Sequence, residues 1–198
     1  MSLSLRNTQK TKVIAAAISS LLIAAGAYLL ITALSPLLIS PDLNASNNST
    51  IELLESTESK AEQSHLYIPK INVNVPFGTG DASALERGAW WRQPQNGNPV
   101  DGGNFVLSAH RFIMGLTPQQ TLRESPFYHI DKLTVGDELI VDYKGSRYTY
   151  VVSKIYAVKP DAIEIEQRTD QPQLTLYSCT LGGSADGREV IVAKPLSE

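Results

Sequence analysis

Residues 174–193 read LTLYSCTLGGSADGREVIVA, and the organisation of the outer part of the chain hangs on them. The run 174–179 is a short β-type segment that ends in Cys179. Thr180-Leu181-Gly182-Gly183 then reads as a loop, and Arg188 comes nine residues after the cysteine, at the start of a second apolar run, 189–193. Two such runs joined by a glycine-containing loop predict neighbouring antiparallel strands, which bring Cys179 and Arg188 together across the mouth of a barrel. His110 closes another short run, 105–109. A thiol, an imidazole and a guanidinium, each at the end of a strand, form a constellation suited to nucleophilic catalysis.

Working outward from this segment, β-branched and aromatic runs recur between turn signals. They cover 66–71, 73–76, 105–109, 138–143 and 147–158, with Lys144-Gly145 as a hairpin turn. This spacing predicts an all-β domain, either a closed barrel or a sandwich. Two short helical pieces are expected. One spans 82–91 after Asp81 as N-cap, and the other is a connector over 121–133. Trp90 and Trp91 are then read as helix-packing residues, with a peptide groove as the other reading. The stretch 160–172 reads as a polar, acidic loop. Its Glu164 and Glu166 read as a solvated face, with a calcium site as the other reading. His65 and His129 read as surface or packing residues, and Arg111 has no assigned role.

The chain has 198 residues, enough for one domain and an appendage. Its single cysteine excludes an internal disulfide and a multi-cysteine metal site. On count alone that cysteine is also readable as a small buried hydrophobe. Residues 13–34, VIAAAISSLLIAAGAYLLITAL, carry no charge and no proline. At about 1.5 Å per residue they span roughly 33 Å, the thickness of a bilayer core. Arg6, Lys10 and Lys12 precede the run, and no basic residue follows it closely. That bias predicts a single-pass anchor in the plasma membrane, with a cytoplasmic N-terminus at 1–12 and the remainder extracellular. A cleaved signal peptide would have a shorter apolar core. Pro36 and Pro41 are expected to end the helix. Residues 35–63 read as a polar stalk, with a short helix around 51–60, ahead of a domain over 64–198. Without the three leading basic residues, 14 basic side chains face 20 acidic ones, which argues against a nucleic-acid partner.

The motifs become specific in combination. Thr175-Leu176-Tyr177-Ser178-Cys179 resembles the Thr-Leu-x-Thr-Cys nucleophile motif of sortases, with serine in place of threonine. Ala109-His110-Arg111 resembles the family's histidine segment, and Arg188 its arginine at the start of the last strand. Ile68-Pro69-Lys70-Ile71 and Leu133-Thr134-Val135-Gly136-Asp137 match two further family segments in the same order. The likeness covers about 64–196, and the short Cys-to-Arg spacing is closer to class E or D than to class A or B. It implies an eight-stranded closed β-barrel bearing a membrane-anchored cysteine transpeptidase. In that reading Cys179 is the nucleophile, His110 the acid/base partner and Arg188 the oxyanion and substrate clamp, with Ser178 beside it in substrate binding. The implied partners are a Leu-Pro-x-Thr-Gly-like sorting signal and an amine from a peptidoglycan precursor or a pilin lysine. Neither a cofactor nor a metal is expected.

Two rival readings stay open on the sequence. One is another external Cys–His transpeptidase, although the Ser-x-Gly-Cys-x-Arg string of the L,D-transpeptidases is absent. The other is a non-catalytic, membrane-tethered binding domain with Cys179 as a buried core residue.

Overall fold

A computed structural model describes residues 3–38 and 64–196. The N-terminal helix α1 runs over Leu3–Leu38 and is long and apolar enough to cross a membrane. It continues through Pro36, contrary to the expected stop there. Proline has no N–H to give the carbonyl one turn back. The Ser35 hydroxyl supplies that bond, donating to Thr32 O at 2.8 Å. Pro41, most of the expected stalk and its short helix lie outside the described residues.

The rest is built from strands: β1 (His65–Ile68), β2 (Val73–Gly78), β3 (Ala89–Arg92), β4 (Gly97–Asn98), β5 (Gly102–Ser108), β6 (Glu138–Tyr143), β7 (Ser146–Val158), β8 (Gln173–Thr180) and β9 (Gly183–Pro195). One short helix, α2 (Pro118–Glu124), sits between β5 and β6, capped by Thr117, whose hydroxyl accepts from Gln120 N. The hydrogen-bonded order is β3-β2-β1-β6-β7-β9-β8-β5, and β3 pairs back to β5. That last pairing closes an eight-stranded barrel and removes its edges. The tiny β4 lies outside the ring, against β5 alone.

Leu66, Ile68, Phe105, Leu107, Leu139, Val141, Leu174, Leu176 and Ile191 fill the interior and are fully or almost fully buried. Each such side chain contributes about 1.5–3 kcal/mol through removal from water. Phe77, Trp91, Phe105 and Tyr143 form an aromatic cluster with ring centroids 5.2–6.4 Å apart.

The expected helix over 82–91 is corrected. Residues Ala82–Arg87 make a 3-10 turn, capped as foreseen by the Asp81 carboxylate, which accepts from Ser83 N. Gly88 then has φ +145°, and a Cβ there would lie 2.2 Å from Pro76 O. Only glycine fits, and it turns the chain out of the helix into β3, parallel to β2. Trp90 and Trp91 are therefore strand residues with opposite orientations. Lys144 and Gly145, both at positive φ, form the β6–β7 hairpin turn as expected.

Candidate functional site

Strand periodicity and register assemble the site. On β8, Leu174 and Leu176 face the barrel core, so Tyr177 and Cys179 project from its outer wall. Tyr177 pairs with Val190 and Cys179 with Arg188 across β8 and β9, so the Cys179 and Arg188 side chains share that wall. Directly opposed residues have Cβ atoms roughly 4.5–5.5 Å apart. On the other side β5 runs parallel to β8, with Ser108 opposite Tyr177. Ala109 N donates to Tyr177 O at 3.4 Å. Continuing this register sets His110 beside Cys179. Trp90 pairs with Ser108 on β3, which brings its ring to the same wall.

These side chains line one cleft of about 330 Å³, shared by Trp90, Arg92, Ser108, His110, Tyr177, Cys179 and Arg188 with Pro160, Ala162, Ile163 and Ile165 of the acidic loop. The three residues expected to act together are thus brought together. They meet on the outer wall of the barrel, as neighbours in register, and not across its mouth.

Cys179 is a free, half-buried thiol. The β8–β9 ladder breaks immediately after it, jumping from the Cys179–Arg188 pair to Thr180–Gly183. Such a bulge commonly re-aims side chains beside a site. Its carbonyls hold the guanidinium: Arg188 Nη1 donates to Ser184 O at 2.8 Å and to Gly187 O at 2.9 Å. His110 Nε2 is buried without a hydrogen-bond partner, while Glu86 Oε1 stands 3.5 Å away, within ion-pair range. Nothing in the sequence singled out Glu86, because the 3-10 turn that carries it is remote from His110 in the chain.

Ser178 has alternate parity and is only 2% exposed. Its hydroxyl donates to Ala109 O at 3.0 Å. Ser178 borders the cleft, and its polar group is engaged with the backbone that carries His110. Arg111 is also turned inward, 4% exposed, with Nη2 donating to Asp131 Oδ1 at 2.7 Å. His65 stacks on Tyr67, and His129 Nε2 meets Pro36 O at 2.8 Å.

The acidic loop is a further correction. Glu166 is no solvated residue: Arg92 Nε and Nη2 donate to its carboxylate at 2.8 and 3.2 Å, the Tyr177 hydroxyl at 2.5 Å and Gln93 Nε2 at 3.3 Å. Burial pushes this carboxyl up, but the hydrogen bonds from Arg92 and Tyr177 and the Arg92 charge outweigh it and hold Glu166 below the usual carboxylate range. Burial, then the Glu166 bond, raise the Tyr177 phenol. The Arg92 guanidinium also lies over the Trp90 ring, 3.9 Å from its centroid. Asn104, buried on β5, completes the fastening by donating to Ile165 O and Gln167 O at 2.9 and 2.8 Å. Among the described residues no group of three or more His, Cys, Asp or Glu side chains could hold a metal.

The match to known proteins has the same extent as the barrel. The Sortase domain family model matches residues 66–196. Sortase A of Streptococcus agalactiae serotype III (strain NEM316) is 29% identical over 148 residues, covering 70% of this chain and 57% of the relative, so the chain spans little more than half of that protein. Sortase D of Bacillus subtilis (strain 168) is 28% identical over 162 residues, covering 77% of this chain and 75% of the relative. Among solved structures, Streptococcus agalactiae sortase C1 superposes with a TM-score of 0.57 at 27% identity, covering 80% of this chain and 77% of the other. The likeness is spread over sortases labelled A, C, D and E1 and does not concentrate on one class. With a closed barrel, a cysteine–histidine–arginine cleft on its wall and a family match over nearly all of that barrel, this chain belongs to the sortase family.

Proposed function

We propose that the chain is a membrane-anchored cysteine transpeptidase acting on a Leu-Pro-x-Thr-Gly-like sorting signal. The observation that carries this reading is the shared register of β5, β8 and β9, which puts Cys179, His110 and Arg188 on one cleft wall. The Cys179 thiolate attacks the Thr–Gly carbonyl carbon, forming a C–S bond and a tetrahedral oxyanion. Arg188, already held at the cleft by Ser184 O and Gly187 O, offers its positive charge to that oxygen. Collapse breaks the C–N bond, and His110 supplies the proton to the departing glycine amine. An incoming amine, from a peptidoglycan precursor or a pilin lysine, then attacks the thioester and loses a proton to His110, and breakage of the C–S bond returns the Cys179 thiolate beside a protonated His110. Ser178 acts indirectly, by tying the His110 segment to β8.

In this proposal α1 crosses the plasma membrane once, with Lys10 and Lys12 on the cytoplasmic side and the barrel outside. The deciding experiment incubates the full chain with a library of sorting-signal-like peptides and measures the intact protein mass. A mass increase equal to the acyl half of one peptide, reversed by an added amine, is expected. If peptides are bound or cleaved with no adduct on Cys179, and Cys179→Ala retains activity, the cysteine mechanism is wrong.

A further inference from the structure

The segment that follows His110 has a surface unlike the rest of the barrel. Residues 112–122 contain no charged side chain. Within them Phe112, Met114 and Leu116 are 40%, 47% and 82% exposed. The Phe112 ring packs on Tyr128, 5.9 Å between centroids, and the backbone of the segment is tied to α1. The Tyr28 hydroxyl donates to Leu116 O at 2.6 Å, and the Ser35 hydroxyl approaches Pro118 O at 3.4 Å. Thr32 and Ser35 are buried where α1 meets α2, while Leu30, Ile31 and Leu34, on the same part of the helix, remain exposed.

Depth along α1 follows from its rise. A hydrocarbon core of about 30 Å takes roughly 20 residues. Counted from Val13, the first residue of the apolar run, it reaches about Thr32. Tyr28 therefore sits about 6 Å inside that outer boundary, and the Leu116 carbonyl is bonded to it. The loop is also prepared for a medium without water, where unpaired backbone groups are costly. Ile113 N donates to Ser125 Oγ at 2.9 Å, Gly115 N to Thr121 Oγ1 at 3.0 Å and Leu116 N to Gln120 Oε1 at 3.0 Å.

We propose that residues 112–116 are seated in the outer leaflet of the membrane that α1 crosses, as a second point of contact that holds the barrel on the lipid surface. The occupant of this apolar patch is the bilayer, because the patch is continuous with the exposed apolar surface of α1 and bonded to it at the depth of the acyl chains. Leu116 is six residues from His110, so at no more than about 3.6 Å per residue the catalytic histidine is held within roughly 20 Å of lipid. The inference rests on α1 being the membrane anchor.

The test uses the full chain in phosphatidylcholine–phosphatidylglycerol vesicles, in a Cys179→Ser background that frees the single native cysteine position. Spin labels are placed at Met114→Cys, at Leu116→Cys, at Ile23→Cys as a marker within α1, and at Val135→Cys, a 66% exposed control on the barrel. Collision rates with oxygen and with a water-soluble nickel chelate are compared. The oxygen-to-nickel ratio at 114 and 116 is expected to exceed that at 135 by at least about fivefold and to approach the ratio at 23. A lipid-like ratio at 23 with water-like ratios at 114 and 116 would overturn the seating and leave the anchor intact. Water-like ratios at all four sites would overturn both. Protection at 116 from both reagents would mean that protein, such as a second copy, covers the patch, and that too would sink the proposal.

Discussion

Along β8 the inner side chains, Leu174 and Leu176, meet the barrel core, while of the outer ones Tyr177 and Cys179 line the cleft and Thr175 donates to Asn104 Oδ1 on β5. Five residues of one strand thus belong to two different environments. The inner face is apolar and interchangeable in kind: it asks only for shape and volume. The outer face is built from single polar ties and has one residue for each task. The comparison teaches that stability and chemistry can be separated by parity along the strand. A substitution at Leu174 or Leu176 should change the free energy of unfolding, and one at Cys179 should change the rate of reaction.

The sharpest break is Cys179→Ala. It should lower transpeptidation by at least about a thousandfold in a coupled peptide–amine assay, with no loss of the native circular dichroism spectrum. One position away in parity, Leu176→Ala should lower stability by about 2–5 kcal/mol in urea unfolding, with the surviving native fraction still able to form the thioester. An intact unfolding midpoint there would contradict the placement of Leu176. His110→Ala and Arg188→Ala should each reduce kcat/KM by about a hundredfold and shift the unfolding midpoint little, because both stand at the cleft and outside the core.

Glu166→Gln probes the polar network over Tyr177. The native carboxyl has its pKa held below that of an unfolded glutamate, about 4.3. Its stabilisation is therefore present above pH 4.3 and lost as pH falls through the lower folded value. The native protein should exceed the variant by about 1–2 kcal/mol at pH 7, and the gap should narrow below about pH 4. A gap that widens on acidification would reverse the sign of this account. The smallest effect belongs to Ser178→Ala, which removes one buried hydrogen bond to Ala109 O and should cost about 1 kcal/mol of stability. Any loss of rate should appear in kcat, through a less well held His110.

Much of this was legible in residue order. The segment 174–193 carries both the strand pairing and two of the three cleft residues, because a hairpin places neighbours in sequence next to each other in space. His110 could be named from its strand-end position and the family resemblance but not placed, since β5 meets β8 through a parallel pairing that no local pattern announces. The misread elements share a cause. Ala82–Arg87 has helix-forming side chains, yet the Cβ-free approach of Gly88 to Pro76 O decides that the next residues join the sheet. Glu166 looks solvated in a polar loop until Arg92, far back in the chain, turns out to bind it. Pro36 looks like a helix stop until the Ser35 hydroxyl takes over the missing bond.

The fastening of the 160–172 loop has a thermodynamic consequence. With Glu166 held by Arg92, Tyr177 and Gln93, and the Ile165 and Gln167 carbonyls held by Asn104, the 165–167 part of the cleft lining is fastened by the protein's own bonds. Ligand capture then spends little binding energy on immobilising chain. Association should follow a single concentration-dependent phase, with a heat-capacity change matching only the area the peptide itself covers.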